Sequence, residues 1–388
     1  MYVILCISMM PLIANGYSMY VLVVLFPYIF ARKFNSGSFL VLLFSIFYTL
    51  SFIIRGEEIE QSKLVFYSLF PLIIYSCGNV LVARLRDTKT VLFVLVSLVA
   101  CLAIPGIFLS VKDFLNSGEL VKLNRAVEYS DGQVLSATVY GMMFSCAIAG
   151  IGMIVYPAVS KFDKKLKRFL VVLSILALLG TVHVLNRTGL FLGGIAIITV
   201  LVIPPYNTKR LTYSLLIFAV LALFVFYYLA DTVLMNDAIQ GYLLREEESE
   251  YSTATGGGRF GRWGDALSQM FANPGGSLGY YMQGGYNYAH NLWLDAGLRG
   301  GVIPFVLLLI IGFRILKDTF RIVKKKLFDP FETRYLVALC IVMFAQAMME
   351  PVIEGLFQYF LLIIFFYGCV SSLKRRNVSE SLESTQTV

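Results

Sequence analysis

Residues 90–110 have the sequence TVLFVLVSLVACLAIPGIFLS, a run of 21 residues without a charged side chain. A helix needs about 20 apolar residues to cross the hydrocarbon core of a bilayer, so this stretch predicts a transmembrane helix. The whole chain has the same character, because 58% of its 388 residues are hydrophobic and only 14% are charged. Soluble domains are about 45–50% apolar and about 25% charged. The composition therefore excludes a soluble, disordered or disulfide-rich protein and predicts an all-α polytopic membrane protein.

Apolar runs of similar length recur along the chain and predict about twelve transmembrane helices (11–12), with one long loop late in the chain. The predicted organisation is helices one to nine in 1–231, the loop in 232–289, helices ten to twelve in 290–372, and a polar tail in 373–388. The predicted spans are 1–15, 17–31, 38–54, 64–82, 90–110, 134–156, 169–184, 188–204, 211–231, 290–313, 335–350 and 352–372.

The net charge of +8 is unevenly distributed between the two sides of this predicted topology. Of the 32 lysines and arginines, 22 fall in the connections on one side, and the positive-inside rule assigns that side to the cytoplasm. Both termini are then expected in the cytoplasm. Because the excess charge orients the protein in a membrane, we expect no nucleic-acid partner.

Cysteines and histidines are too few or too scattered for a metal or disulfide site. None of the cysteines forms a CxxC pair, and all lie in predicted spans, where they are expected to be small apolar packing residues. No metal-ligand motif is present either, so no metal site is predicted. The cysteines are Cys6, Cys77, Cys101, Cys146, Cys340 and Cys369.

The loop 232–289 is predicted to lie outside the membrane, on the side opposite the basic clusters. It holds 11 of the 31 glycines, six tyrosines and Trp263. Aromatic side chains that carry a polar group suit partly hydrated binding surfaces, and their flat rings stack on sugars. The alternative is an ordinary turn-rich loop. An amphipathic helix is expected from Trp263 to Phe271, ended by the Asn-Pro-Gly-Gly sequence at 273–276.

An ordered set of motifs in and around this loop resembles the O-antigen polymerase and ligase superfamily. The motifs lie in one block, residues 258–301, and one earlier tetrapeptide, and the predicted topology is similar over the whole length. The motifs are Gly258-Arg259 with Trp263, Asn273-Pro274, Ala289-His290-Asn291-Leu292-Trp293-Leu294-Asp295, Gly300-Gly301 opening a new span, and Asn186-Arg187-Thr188-Gly189.

The resemblance implies a GT-C-like glycosyltransferase of the bacterial inner membrane. Its donor and acceptor would be undecaprenyl-diphosphate-linked glycans used at the periplasmic face, with membrane lipids around it and a chain-length regulator protein as a further partner. The lipid diphosphate would be both energy source and leaving group, so no cofactor and no metal is expected. Glycosyl transfer would be a single displacement with inversion at the anomeric carbon.

Three residues are predicted to be catalytic. Arg187 stands where a helix begins, beside cap-type residues, and helix N-termini attract anions. An arginine there adds a planar two-point donor for phosphate oxygens, although snorkelling to the interface is the alternative. The resemblance implies a similar phosphate contact for Arg259. It also implies that His290 activates the acceptor hydroxyl, a role in which histidine is common because imidazole can exchange protons at physiological pH. The alternative is a histidine that only holds the loop.

Five further residues are predicted to bind substrate: Arg262, Asn291, Trp263, Glu350 and Glu354. Acids at membrane depth are costly and usually face a cavity or a partner, so the two glutamates are expected to pair with the acceptor or an arginine, or to lie on an outer turn.

The other histidine, His183, is expected to be structural. Asp295 is not expected to form a dyad with His290, because residues five positions apart lie on different faces of a helix.

The favoured function is O-antigen polymerase. The sister O-antigen ligase, which transfers the same glycan to lipid A-core, carries the same motifs and stays open. A lipid-linked oligosaccharide flippase is the alternative from another class, but transporters usually place polar residues at midmembrane.

Overall fold

The computed structural model of the chain describes residues 1–11, 14–56, 61–85, 87–122, 125–128, 134–157, 160–203, 259–277 and 288–386. These residues are predominantly helical and form two compact units. The predicted span 211–231, the glycines at 256–258 and most tyrosines of the long loop lie outside the described residues.

The first unit comprises Met1–Leu102, Arg259–Asp329 and Ala347–Val388. Several of its helices are long and apolar, and three are shorter than ten residues, namely those that begin at Tyr2, Leu292 and Val352. Its elements are α1 (Tyr2–Ser8), a 3₁₀ helix (Ala14–Ile29), α2 (Ser36–Ile54), α3 (Gln61–Arg84), the start of α4 (Thr88–Ser117), α8 (Arg259–Ala272), α9 (Leu292–Gly300), α10 (Val302–Lys324), α12 (Val352–Gly355) and α13 (Phe357–Gln386).

The second unit comprises Ala103–Gly258 and Pro330–Gln346. Its two short strands pair antiparallel, with Val127 opposite Leu135. Its elements are the rest of α4, β1 (Ala126–Glu128), β2 (Val134–Ser136), α5 (Ala137–Ile148) with a 3₁₀ continuation (Ala149–Val155), α6 (Lys161–His183), α7 (Arg187–Val202) and α11 (Pro330–Ala347).

Six helices among the described residues are long and apolar enough to cross a membrane, which makes the chain an all-α membrane protein. They cover six of the predicted spans to within a few residues, apart from the early start of α6 in the second unit and the late end of α4. The six are Ser36–Ile54, Gln61–Arg84, Thr88–Ser117, Ala137–Val155, Phe162–His183 and Phe357–Arg375.

The predicted span 290–313 is corrected by the structure, because the chain breaks there. Helix α9 ends at Gly300, and Gly301 follows with φ of +90°, a backbone conformation that favours glycine. Helix α10 then runs from Val302 to Lys324. The predicted first span, 1–15, is also shorter than expected, since α1 covers only Tyr2–Ser8.

In the first unit, α3 packs against both α2 and α13. Two glycines permit the close approach of α3 to α13, because a Cβ at Gly78 would meet the Phe365 carbonyl and one at Gly368 would meet the Tyr75 carbonyl. Helix α9 contacts α2, α8, α10 and α12. The residues just before α9 therefore lie where several helix ends meet.

Candidate functional site

Glu350 lies between the end of α11 and the start of α12 and is the centre of a charged cluster in the first unit. Its carboxylate is 3.3 Å from Nδ1 of His290 and 3.8 Å from a terminal guanidinium nitrogen of Arg259. The Glu350 side chain is only 4% exposed, whereas those of His290 and Arg259 are 23% and 30% exposed. We call these three residues the Glu350 cluster. A buried carboxylate thus contacts a histidine and an arginine that solvent can reach.

The backbone of His290 has φ of +53°, a left-handed conformation that is uncommon for residues other than glycine. The buried Asp295 carboxylate supports it by accepting hydrogen bonds from Ala289 N at 2.6 Å and Asn291 N at 3.0 Å, one on each side of His290. Asp295 and His290 therefore do not form a side-chain dyad, as expected, but Asp295 holds the backbone from which the imidazole projects.

Burial raises the pKa of Asp295 to about 6, while the hydrogen bonds from Asn291 N and Ala289 N lower it. The two backbone amides that flank His290 favour the ionised form of this carboxyl, and hydrogen bonds to an ionised acceptor are stronger than neutral ones.

Asn291 is the N-cap of α9, because its side-chain oxygen accepts from Trp293 N and Leu294 N. Its amide nitrogen also donates to Met348 O at 3.5 Å, two residues before Glu350. Asn291 therefore caps the following helix, one of the roles expected for it, and its contact with substrate stays a prediction. It fixes the start of α9 and ties the His290 backbone to the Glu350 segment.

Helix α8 carries Arg259 at its first residue and begins four residues before the predicted amphipathic helix. Trp263 donates from its indole nitrogen to Ala289 O at 3.0 Å and packs against a cluster that includes Ala266 and Leu294. Trp263 thus anchors α8 beside the residue that precedes His290, and its contact with sugar stays a prediction. Arg262 follows Arg259 by three residues, so the two lie on neighbouring positions of one helix face.

Glu354 is four residues from Glu350 but has other partners. It accepts hydrogen bonds from the Tyr48 and Tyr67 hydroxyls at 3.2 Å each and lies 3.8 Å from Arg299. The helix does not continue through the intervening proline, because Pro351 is the N-cap of α12. The tyrosines and Arg299 were not among the predicted residues. The sequence contains one indication of this contact. Arg299 lies within an apolar run, and a charge in such a run needs a partner.

The remaining predicted catalytic residue, Arg187, belongs to the second unit. It is the first residue of α7, and the side chain of the N-cap Asn186 accepts from Gly189 N at 3.2 Å. The prediction of an arginine at a capped helix N-terminus is therefore confirmed.

His183 also lies in the second unit, where its Nε2 is 2.9 Å from Asp113 Oδ2 and its Nδ1 is 2.8 Å from Leu120 O. This is the hydrogen-bonded structural histidine expected from the sequence.

Among the described residues, no group of three or more histidine, cysteine, aspartate or glutamate side chains is arranged to hold a metal ion. The cationic group that contacts Glu350 is the guanidinium of Arg259. Comparisons with protein-family models and with curated proteins found no match for this chain.

The arrangement around Glu350 suits proton transfer beside an anion. A carboxylate that accepts from Nδ1–H leaves Nε2 of a histidine as a proton acceptor, which is how bases are oriented in many hydrolases and transferases. Arg259 carries five N–H donors, so it can contact Glu350 and still offer donors to a second anion. The buried Glu350 carboxylate therefore contacts both His290, which can accept a proton, and the cationic Arg259.

Proposed function

We propose that this protein is an O-antigen polymerase of the bacterial inner membrane. It would transfer a growing glycan from undecaprenyl diphosphate to the non-reducing end of a lipid-linked repeat unit at the periplasmic face. The proposal includes about twelve spans, a GT-C-like fold and cytoplasmic termini. It rests on the resemblance of the motifs, and the observation that carries it is the Glu350 cluster, which joins His290 and Arg259 from separate motifs.

In the proposed reaction, His290 accepts the proton of the acceptor hydroxyl through Nε2 while Nδ1–H donates to Glu350. The acceptor oxygen bonds to the anomeric carbon of the donor glycan, and the bond between that carbon and the diphosphate oxygen breaks. Undecaprenyl diphosphate leaves with the electron pair and its negative charge, which Arg259 stabilises; a phosphate contact for Arg187 rests on its motif alone. Because attack and departure occur on opposite faces, the configuration at the anomeric carbon inverts. Arginines supply the positive charge that a metal supplies elsewhere.

The apolar side of α8 supports a lipid-linked donor. Phe260, Leu267 and Phe271 are 63%, 38% and 68% exposed, and their spacing of seven and four residues puts them on one side of the helix. An exposed apolar stripe of this kind is typical of helices that lie in a membrane interface. Arg259 would then meet a diphosphate at the depth where its polyprenyl chain enters the membrane.

The deciding experiment uses purified protein with undecaprenyl-diphosphate-linked repeat units and follows product length on gels. A polymerase lengthens the lipid-linked glycan without any other substrate, and EDTA leaves the rate unchanged. A ligase transfers the glycan only after lipid A-core is added. A flippase, in sealed vesicles, moves the unit across the membrane without lengthening it. Absence of lengthening by the folded wild-type protein contradicts the proposal.

A strain lacking the gene gives an independent result. Loss of a polymerase leaves lipopolysaccharide with core plus one repeat unit, whereas loss of a ligase leaves bare core and accumulated lipid-linked polymer. Complementation by the wild-type gene restores the ladder of chain lengths, and the variants described below can be compared in the same strain.

A further inference from the structure

A polar cavity separate from the Glu350 cluster lies in the first unit, where the C-terminal half of α10 meets α13 and the start of α2. Its volume is about 340 Å³. No residue of the Glu350 cluster lines it. Its charged lining residues are Arg314, Lys317, Arg321, Lys374, Arg375 and Asp318.

The cavity has a large excess of positive charge. Asp318, whose side chain is 6% exposed, is the only acid that lines it within the described part of the chain. Its carboxylate lies 2.6 Å from Lys374 Nζ and 3.9 Å from Arg321 Nη1. Arg314 donates to Ser36 Oγ at 3.0 Å. One carboxylate cannot neutralise five cations, so the cavity attracts anions.

An apolar face of α10 leads to this cavity. Phe313, Leu316 and Phe320 are 65%, 38% and 69% exposed, and each immediately precedes a cation of the cavity. Residues three, four and seven apart share one side of a helix, so these apolar and basic side chains run side by side. A free anion would not contact the apolar face. A phospholipid matches both features, because its acyl chains suit the apolar face and its phosphate suits the basic cavity.

We propose that this cavity, which we call the basic pocket, binds the phosphate of an anionic phospholipid, with acyl chains along Phe313, Leu316 and Phe320. Basic pockets between membrane helices on the cytoplasmic side suit such headgroups. All five basic side chains of the cavity belong to connections that the positive-inside rule assigns to that side. The site is independent of the proposed glycosyl transfer, because it shares no residue with the Glu350 cluster.

Native mass spectrometry of the detergent-solubilised full-length protein tests the proposal. The probes are dioleoylphosphatidylglycerol, dioleoylphosphatidylcholine and inorganic diphosphate, each titrated separately. The test variant is the double substitution Lys317→Gln and Arg321→Gln, both exposed positions of the pocket. The matched control is Lys324→Gln with Lys325→Gln, which removes the same charge from the same helix end but from residues outside the pocket lining.

Wild type and control should bind phosphatidylglycerol in preference to phosphatidylcholine, and the test variant should bind phosphatidylglycerol about 30-fold more weakly. Equal loss in the control, or full retention in the test variant, overturns the proposal. Inorganic diphosphate that binds as tightly as phosphatidylglycerol also overturns it, because the pocket would then be a site for soluble anions. Unchanged melting temperatures of both variants show that the loss reflects binding and not unfolding.

Discussion

Each of the two units contains one histidine beside a carboxylate that also contacts a cation. In the second unit, Asp113 lies 2.9 Å from His183 Nε2 and 3.3 Å from Lys122 Nζ, and we call these three residues the Asp113 cluster. The other ring nitrogen of His183 contacts Leu120 O at 2.8 Å. Both nitrogens are thus engaged with protein groups, and the His183 side chain is only 5% exposed.

The Glu350 cluster has the same three chemical groups in a more open arrangement. His290 contacts Glu350 through Nδ1, its side chain is 23% exposed, and the cation is an arginine with 30% exposure. The comparison shows that a histidine beside an acid is not by itself a catalytic feature. A general base also needs a ring nitrogen that substrate can reach, and only His290 has an exposed ring.

The largest expected effect separates the two histidines. Asparagine tolerates the left-handed backbone of position 290, so His290→Asn should fold while removing the base. We expect polymerisation to fall about 10²–10⁴-fold, the usual contribution of a general base. The matched His183→Asn should lower the melting temperature but keep activity per folded molecule within a few fold. The assay is lengthening of lipid-linked repeat units, and near-normal activity of His290→Asn would refute the base assignment.

The two carboxylates give the next comparison. Glu350→Gln keeps the shape of the side chain but removes the charge that stabilises the protonated imidazole. A charge-assisted contact contributes about 1.5–3 kcal/mol, so the rate should fall roughly 10- to 160-fold. Asp113→Asn should change stability more than rate. Equal rates for Glu350→Gln and wild type, with both proteins folded, would show that Glu350 does not act through His290.

The arginines should show a dependence on geometry as well as charge. Lysine retains the charge but loses the planar two-point donor, so Arg259→Lys and Arg187→Lys should each be impaired about 10- to 100-fold. Arg262→Lys, on the same helix as Arg259, is the control and should be milder. In the Asp113 cluster, Lys122→Arg should keep full activity. Near-normal polymerisation by both Arg187→Ala and Arg259→Ala would reject the diphosphate contacts, and rescue by magnesium would reject the metal-free proposal.

The sequence predicted the features that depend on local chemistry. Composition and apolar runs identified the membrane class, and the Asn-Pro-Gly-Gly sequence at 273–276 correctly ended α8 at Ala272. The motif histidine, the motif arginine Arg259 and Glu350 were each singled out separately. An arginine partner for Glu350 was one of the expected alternatives and is found. Which arginine it is, and the added contact with His290, depend on how α8, α9 and the segment before α12 approach one another.

Contacts between residues far apart in the sequence account for most of what was missed. Tyr48 and Glu354 are separated by 306 positions, and no helical period relates them. The predicted span 290–313 ran through the break at Gly301, because glycine is common within membrane helices and only its positive φ distinguishes it here. The Gly300-Gly301 motif, in contrast, correctly placed the start of the next helix. The role of Asp295 was missed because only its helical face relative to His290 was considered. Its side chain instead accepts hydrogen bonds from backbone amides that precede α9.

The smallest expected effect concerns this support of the His290 backbone. Asp295→Asn leaves one acceptor oxygen for two buried amides, so we expect a loss of about 1–3 kcal/mol in stability and about fivefold in rate. His290→Gly accepts a positive φ without strain. If Asp295 acts by holding that conformation, Asp295→Asn should therefore cost less stability in the His290→Gly background than in wild type. Denaturant unfolding of the four proteins measures this coupling. Identical costs in both backgrounds would mean that Asp295 stabilises α9 without positioning His290.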